Sequence, residues 1–449
     1  MKEKVLYAKW ILPSTEVEPL ENGCLVIRED KIVDLGLKDE ILPKYSQAEI
    51  FFFENGLIFP GLVNAHTHAP MSILRGIAED LPLMTWLTKI IFPIEAHLQK
   101  EWVYWGTKLS LIEMIKSGIT LFCDMYLFEP EVIRATEESG LKALLGEGLF
   151  DFPSPGYGSL EKGLELTQEL LKNFENHSKI KIAVSPHTLY TCSAETIKKC
   201  LKIAEKFGAK IHIHLSENKE EIQEIKKRYG KTPPYVLKEL GALSENLIAV
   251  HCVRLSKREI ELFSKHKVKV VHCPESNLKL GSGIAPVPEM LKKNLMVGIG
   301  TDGPASNNDL DLFSEMRTAC LIQKGIEENP LVLTAKEVFK MATEIGAKSL
   351  GFENTGKLLP GYQADLAILD LTHVNLHPDY NPLALLVYSA KSGCVSDVMV
   401  DGKFLMRNYE ILTLDEKLVK EKIQNIKKEI LKVLEKTFNK SEKNNKVFP

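Results

Sequence analysis

Two histidines one residue apart, His66 and His68, close an apolar run, and their spacing is a chemical signal. The run is Phe59-Pro60-Gly61-Leu62-Val63-Asn64-Ala65-His66-Thr67-His68-Ala69-Pro70. Side chains on a strand alternate with period two, so both imidazoles face one side and can grip one metal ion. A lone His-x-His is a weak signal, because most such pairs are surface or core residues. Here further polar run ends follow. Asp124 and Glu147 close the second and third apolar runs, His187 the fourth, and His214 with Glu217 the fifth. His251, His272 and Asp302 close the sixth, seventh and eighth.

His66, His68, His214 and Asp302 make the nitrogen and oxygen set of a catalytic zinc site, one ion per chain, with a position left for water. Iron, manganese and nickel accept the same ligand types. Such an ion brings water to hydroxide near neutral pH. Asp302 can hold the ion and accept the water proton. Glu217, three residues past His214, suits a proton shuttle. His251 suits orienting the hydroxide or polarising a substrate. Blander readings stand beside these. Asp124 can cap the helix that follows it, and Glu147 can be an exposed loop charge. His212 reads as a filler of the interior two residues below His214. His272 reads equally as a satisfied core histidine. His97, His177, His266, His373 and His377 have no run-end context and receive no role.

The elements that must position these groups alternate regularly. Strands are expected at 57–68, 118–125, 142–149, 179–187, 209–217, 247–252, 268–274 and 297–302. Amphipathic helical patterns separate nearly all of them, as at 107–115, 161–172, 194–207 and 221–229. Eight such units over roughly 300 residues predict an α/β fold with a TIM-type (β/α)8 barrel at 59–360, whose site lies at the C-terminal strand ends. An open doubly wound sheet is the runner-up, but no Gly-x-Gly-x-x-Gly follows an early strand. Residues 1–58 and 361–412 have a different texture, with short alternating runs and turn signals. They predict a small β-sandwich built from both chain ends. Residues 413–449 read as an amphipathic helix with a polar tail. Thr413 and Glu416 make a capping-box pattern, and Val419, Ile423, Ile426 and Ile430 make the apolar stripe. That helix is expected to dock on the barrel, with a homo-oligomer contact as the alternative.

A chain of 449 residues is long for one core, which supports a large domain plus a small one. A net charge of −3 favours neither nucleic acid nor an anionic membrane as partner, leaving a small-molecule substrate. No run approaches the ~20 apolar residues of a membrane span. The opening Met1–Pro13 run carries charges and no small-residue cleavage site, so no secretory leader is expected. The eight cysteines are scattered without a Cys-x-x-Cys and read as reduced thiols of a cytoplasmic protein.

The strand ends, in this order, resemble the amidohydrolase superfamily over nearly the whole chain. Within it, three stretches resemble the 5-methylthioadenosine/S-adenosylhomocysteine deaminases and their neighbours, the triazine hydrolases and guanine deaminases. They are Pro60-Gly61-Leu62-Val63-Asn64-Ala65-His66-Thr67-His68 with Leu74-Arg75-Gly76-Ile77-Ala78-Glu79-Asp80, Ser276-Asn277-Leu278-Lys279-Leu280-Gly281-Ser282-Gly283, and Gly300-Thr301-Asp302-Gly303-Pro304-Ala305-Ser306. No lysine closes the fourth run, which matches the single-metal branch. The resemblance implies hydrolytic deamination of an adenine-type ring. Glu217 would protonate the ring nitrogen, and Asp302 with His251 would remove the water proton. Glu95 would hold the ribose hydroxyls, His187 would contact the nucleoside, Trp86 would pack near it, and Ser306 would join the substrate contacts.

One departure bears on the substrate. Relatives that accept S-adenosylhomocysteine can place arginine after the third strand to bind its carboxylate. No arginine occurs here between Arg134 and Arg228, and Glu147 in that region would repel a carboxylate. A substrate without it is expected: 5'-methylthioadenosine, 5'-deoxyadenosine or adenosine. The competing readings are an aminohydrolase or chlorohydrolase of guanine-like bases or s-triazines, and a non-catalytic scaffold. Retention of every expected ligand together with Glu217 and His251 argues against the scaffold.

Overall fold

The computed structural model describes residues 3–442. Among these, four strands open the chain: β1 (Lys4–Ile11), β2 (Leu20–Arg28), β3 (Lys31–Leu37) and β4 (Glu49–Pro60). The middle carries β5 (Leu62–Thr67), β6 (Ile119–Tyr126), β7 (Lys142–Leu149), β8 (Ile180–Ile182) and β9 (Ser185–Pro186). It continues with β10 (Ile211–Leu215), β11 (Leu247–His251), β12 (Lys269–His272) and β13 (Met296–Ile299). Four strands close the chain: β14 (Leu366–Asp370), β15 (Val395–Val400), β16 (Lys403–Arg407) and β17 (Glu410–Ile411).

Both chain ends meet in one eight-stranded sheet of order β17-β16-β15-β14-β4-β1-β2-β3. The hydrogen bonding is continuous from β17 to β3. Alternation divides its faces. Leu6, Ala8, Leu25, Ile27 and Ile368 pack on one side, and Val5, Tyr7, Cys24 and Val26 pack against Ile41 on the other. β4 reaches Pro60, so the chain leaves this sheet inside the strand expected to begin at residue 57. Gly61 makes that exit, because a Cβ there would lie 2.2 Å from the Thr120 side chain.

The middle strands pair in parallel, β5 to β8 in one sheet and β10 to β13 in another, with β9 on β7. Parallel bridges Val184↔Ile211 and Thr188↔His214 join the two runs. On the other side the Asp302 N–H donates to His66 O at 3.1 Å, and Asn64 Nδ2 donates to Thr301 Oγ1 at 2.8 Å. Every residue of β6, β7, β10, β11 and β12 is buried. Helices cover parallel strands, so such strands read as continuous apolar runs rather than alternating ones. The expected fourth strand is interrupted into β8 and β9, which re-aims the chain before His187.

The closing helix, Glu416–Glu442, lies against helix Lys100–Lys116. Trp102 Nε1 donates to Glu429 at 2.7 Å, and Lys116 pairs with Glu416 at 2.5 Å. With the turn Ala69–Leu74 and helix Glu129–Ser139 on its other sides, this contact leaves Lys100–Lys116 buried around much of its circumference. Asp415 caps the closing helix by accepting from Leu418 N at 2.9 Å, so the cap is not Thr413. Among the described residues no helix is long and apolar enough to cross a membrane.

Candidate active site

β5 ends by delivering His66 and His68 to one point, and β10 and the turn after β13 bring His214 and Asp302 to meet them. His214 Nε2 lies 3.3 Å from both His66 Nε2 and His68 Nε2. Asp302 Oδ1 lies 3.3 Å from His66 Nε2 and 3.2 Å from His68 Nε2. The four ligand atoms all lie within 4.8 Å of one another. Bonds of about 2.0 Å to one tetrahedral ion set ligand atoms about 3.3 Å apart. The spacing therefore fits a small divalent cation.

The outward ring nitrogens agree. His68 Nδ1 donates to Met125 O at 2.5 Å and His214 Nδ1 to His187 O at 2.9 Å, which leaves both Nε2 lone pairs facing inward. His66 Nδ1 lies 3.1 Å from His212 Nε2, and Cys123 Sγ lies 3.6 Å from His212 Nδ1. Burial pushes His66 down to about 3, so its imidazole is neutral, as metal binding requires. Burial also works against charge on His68, yet the Asp302 carboxylate carries it up to about 9. The cluster calls for one positive charge at its centre. Asp302 Oδ2 accepts from Ser276 Oγ at 2.5 Å and Ser306 Oγ at 2.8 Å, which turns Oδ1 toward the histidines.

The backbone is strained around this point. Asp302 has φ +60° and His251 has φ +71°, left-handed values that non-glycine residues rarely hold. Gly300 lets the chain pass His66, because a Cβ there would lie 2.7 Å from His66 N and 2.8 Å from its O.

Above the four ligands opens a cavity. Glu217 and His251 line it, with His251 Nε2 3.8 Å from Glu217 Oε2. Burial raises the Glu217 carboxyl above the usual carboxylate range. Ser282 Oγ donates to Glu217 Oε1 at 3.2 Å, and His251 Nδ1 lies 3.0 Å from Asn277 Oδ1. Glu95, His187 and Trp86 line the same cavity. Burial pushes the Glu95 carboxyl up and His187 down to about 3. The Trp86 indole N–H is buried without a hydrogen-bond partner among the described residues, whereas the buried Tyr126 hydroxyl faces the Glu95 carboxyl. A native interior rarely leaves such a group unmet, so the Trp86 N–H marks where a ligand's polar atom fits.

Several residues sit elsewhere than the sequence reading expects. Ser306 reaches the cavity, but its hydroxyl is committed to Asp302. Asp124 caps no following helix; its Oδ1 accepts from Ala69 N at 2.5 Å, in the turn just past His68. Glu147 is buried rather than exposed. It accepts from Phe128 N at 3.1 Å and Glu129 N at 2.8 Å, at the start of helix Glu129–Ser139. Burial pushes its carboxyl up to about 8, so it is not a charge facing the cavity. His212 supports His66 rather than merely filling space. His272 is buried with neither ring nitrogen partnered. The sequence reading gave no role to Ser276, Asn277, Ser282 or Tyr126. The first three lie in a stretch it singled out, 276–283, whose dense small polar residues were the available signal.

The amidohydrolase family model matches residues 57–405. The chain belongs to the amidohydrolase family. It is 44% identical over 409 residues to the 5-methylthioadenosine/S-adenosylhomocysteine deaminase of Syntrophobacter fumaroxidans, covering 91% of this chain and 93% of that one. Among solved structures it is similar to a zinc-bound adenosine deaminase from Xanthomonas campestris. There the identity is 33%, the TM-score 0.94, and the coverage 96% of this chain and 99% of that chain. A zinc-complexed atrazine chlorohydrolase from Arthrobacter aurescens shares the fold at TM-score 0.88 and 22% identity, over 94% and 100% of the two chains. Proteins that share this fold thus carry more than one named chemistry.

Proposed function

We propose that this amidohydrolase is a deaminase of adenosine-type nucleosides, zinc-dependent and cytoplasmic, converting the amino-bearing ring to its inosine analogue with release of ammonia. In this reading the eight parallel strand positions close into a (β/α)8 barrel beside a β-sandwich domain formed by the two chain ends. The observation that carries the chemistry is the placement of Glu217, raised by burial, at the floor of the cavity beside the His66, His68, His214 and Asp302 cluster.

Those four residues would hold the ion, which when bound lets water ionise near neutral pH. The chain's own groups supply the rest. Asp302, fixed by Ser276 and Ser306, takes the water-derived proton, with His251 assisting. Glu217 hands a proton to the ring nitrogen next to the amino-bearing carbon, which becomes bonded to the water oxygen. The amino group then takes the proton held on Asp302 and leaves as ammonia, the new hydroxyl returns its proton to Glu217, and the ring keeps a carbonyl and an N–H. Glu95 is suited to the ribose hydroxyls. His187, neutral at working pH, contacts the nucleoside, and Trp86 packs beside it with its N–H free to donate.

The test is ammonia release by zinc-loaded enzyme from adenosine, 5'-methylthioadenosine, 5'-deoxyadenosine, S-adenosylhomocysteine, guanine and a chlorotriazine. Turnover of the nucleosides is expected. Activity confined to the free base or the triazine would overturn the substrate class while leaving the metal centre in place.

A further inference from the structure

A second cavity opens from the first and shares Phe92, Glu95, Leu127 and Phe150 with it. Its walls are Phe92, Leu127, Phe150, Phe152, Pro153 and Pro155, with Glu95 at the junction and Ser154 among the wall residues. Among the described residues no lysine, arginine or histidine lines it. The aromatic rings form a sleeve leading from His187. Phe150 lies 4.8 Å from the His187 ring and 4.9 Å from Phe152, and Phe92 lies 6.0 Å from Phe152, centroid to centroid.

The sleeve is preformed. Ser154 and Gly158 exchange backbone hydrogen bonds at 2.9 and 2.8 Å. Asp151 accepts from Ser193 N at 2.8 Å and Thr196 Oγ1 at 2.5 Å. Tyr157 donates its hydroxyl to Gly148 O at 3.1 Å. Ser154 Oγ accepts from Gly156 N at 3.1 Å, which fixes it within the loop.

We propose that this apolar chamber is a specificity subsite for an uncharged thioether group on C5' of an adenine nucleoside, and that it accepts alkylthio groups larger than methylthio. The assignment rests on the deaminase reading above, in which Glu95 engages the ribose and so places C5' at the chamber's entrance. Apolar carbons entering the chamber leave water for aromatic walls, which is favourable. A zwitterionic amino-acid arm must shed its hydration there, and its carboxylate finds no cation.

A matched pair isolates the charge. 5'-Butylthio-5'-deoxyadenosine and S-adenosylhomocysteine carry arms of similar length and differ in the ammonium and carboxylate. With zinc-loaded enzyme, kcat/KM for the butylthio compound is expected to exceed that for S-adenosylhomocysteine at least about tenfold. It is also expected to equal or exceed that for 5'-methylthioadenosine. Phe152 stands at the chamber mouth, 41% exposed, so a substitution there spares the core. F152R is expected to shift the preference toward S-adenosylhomocysteine by about tenfold. F152A is expected to lower the butylthio-to-adenosine ratio of kcat/KM about fivefold. Equal or reversed rates for the matched pair, with nucleosides still deaminated, would overturn the subsite and leave the deaminase reading standing. Absence of turnover on every nucleoside would overturn both.

Discussion

Two of the buried charged clusters among the described residues satisfy themselves differently. In one, Lys142 at the start of β7 pairs with Asp365 and Asp401, both at 2.6 Å. Asp365 also accepts from Thr355 Oγ1 at 3.1 Å and from Asp401 N at 2.9 Å. Donors and acceptors match, and the cluster ties the parallel strands to the end-to-end sheet. In the other, three imidazole nitrogens and a carboxylate oxygen converge on one point, and the only proton between them is the one Asp302 holds on His68. Buried acceptors facing acceptors are unfavourable without a cation. Self-sufficiency marks the structural cluster, and a shared deficit marks the functional one.

Each cluster can be broken. The largest effect is expected at the deficient one. D302N should abolish metal retention and lower kcat at least about a thousandfold, roughly 4 kcal/mol of barrier, while the apoprotein stays folded. Metal analysis alongside turnover checks this, and full activity without metal would refute the assignment. E217Q separates chemistry from binding. It should keep stoichiometric metal and lose about 10²–10⁴ in kcat, the range of general acid–base catalysis. Because Glu217 must carry a proton to deliver it, wild-type kcat should fall as pH rises through its elevated pKa. A profile without that high-pH limb would remove Glu217 from the role.

The self-satisfied cluster should respond in the opposite currency. K142M strands the buried Asp365 carboxylate, while the half-buried Asp401 keeps Lys179, and should destabilise the fold by about 3–5 kcal/mol in denaturant unfolding, with metal content and KM unchanged. If K142M instead lost metal and kept its stability, the contrast between the clusters would be mistaken. The smallest effect sharpens the contrast within the site. S306A removes one of two hydroxyls holding Asp302 Oδ2 and should weaken metal binding about 10–100-fold by chelator competition, with little change in melting temperature.

The order of strands and helices was readable because parallel strands, buried on both faces, leave apolar runs that end abruptly in polar residues. β7 and helix Ala194–Phe207 begin and end where the pattern places them. The interruption between β8 and β9 was not readable, since a break of two residues leaves the apolar run intact. Glu147 was legible as a third-strand end, with an exposed loop charge as the alternative, and only the fold shows it spent on the backbone N–H groups of Phe128 and Glu129. The cap of the closing helix was misplaced by two residues, since Thr413 and Asp415 are both capping types.

The sequence by itself determined which side chains lie at strand ends, because the period of two and the apolar run lengths are local properties of the chain. It also determined that no basic residue stands in the stretch 150–158 that walls the second cavity. Only the tertiary structure decided that atoms from β5, β10 and the turn after β13 stand 3.2–3.3 Å apart. It likewise decided that Ser276 and Ser306 share one carboxylate oxygen, and that Phe92 joins Phe150 and Phe152 in one sleeve. Those distances depend on strand register and packing between segments far apart in the chain, which no local pattern encodes.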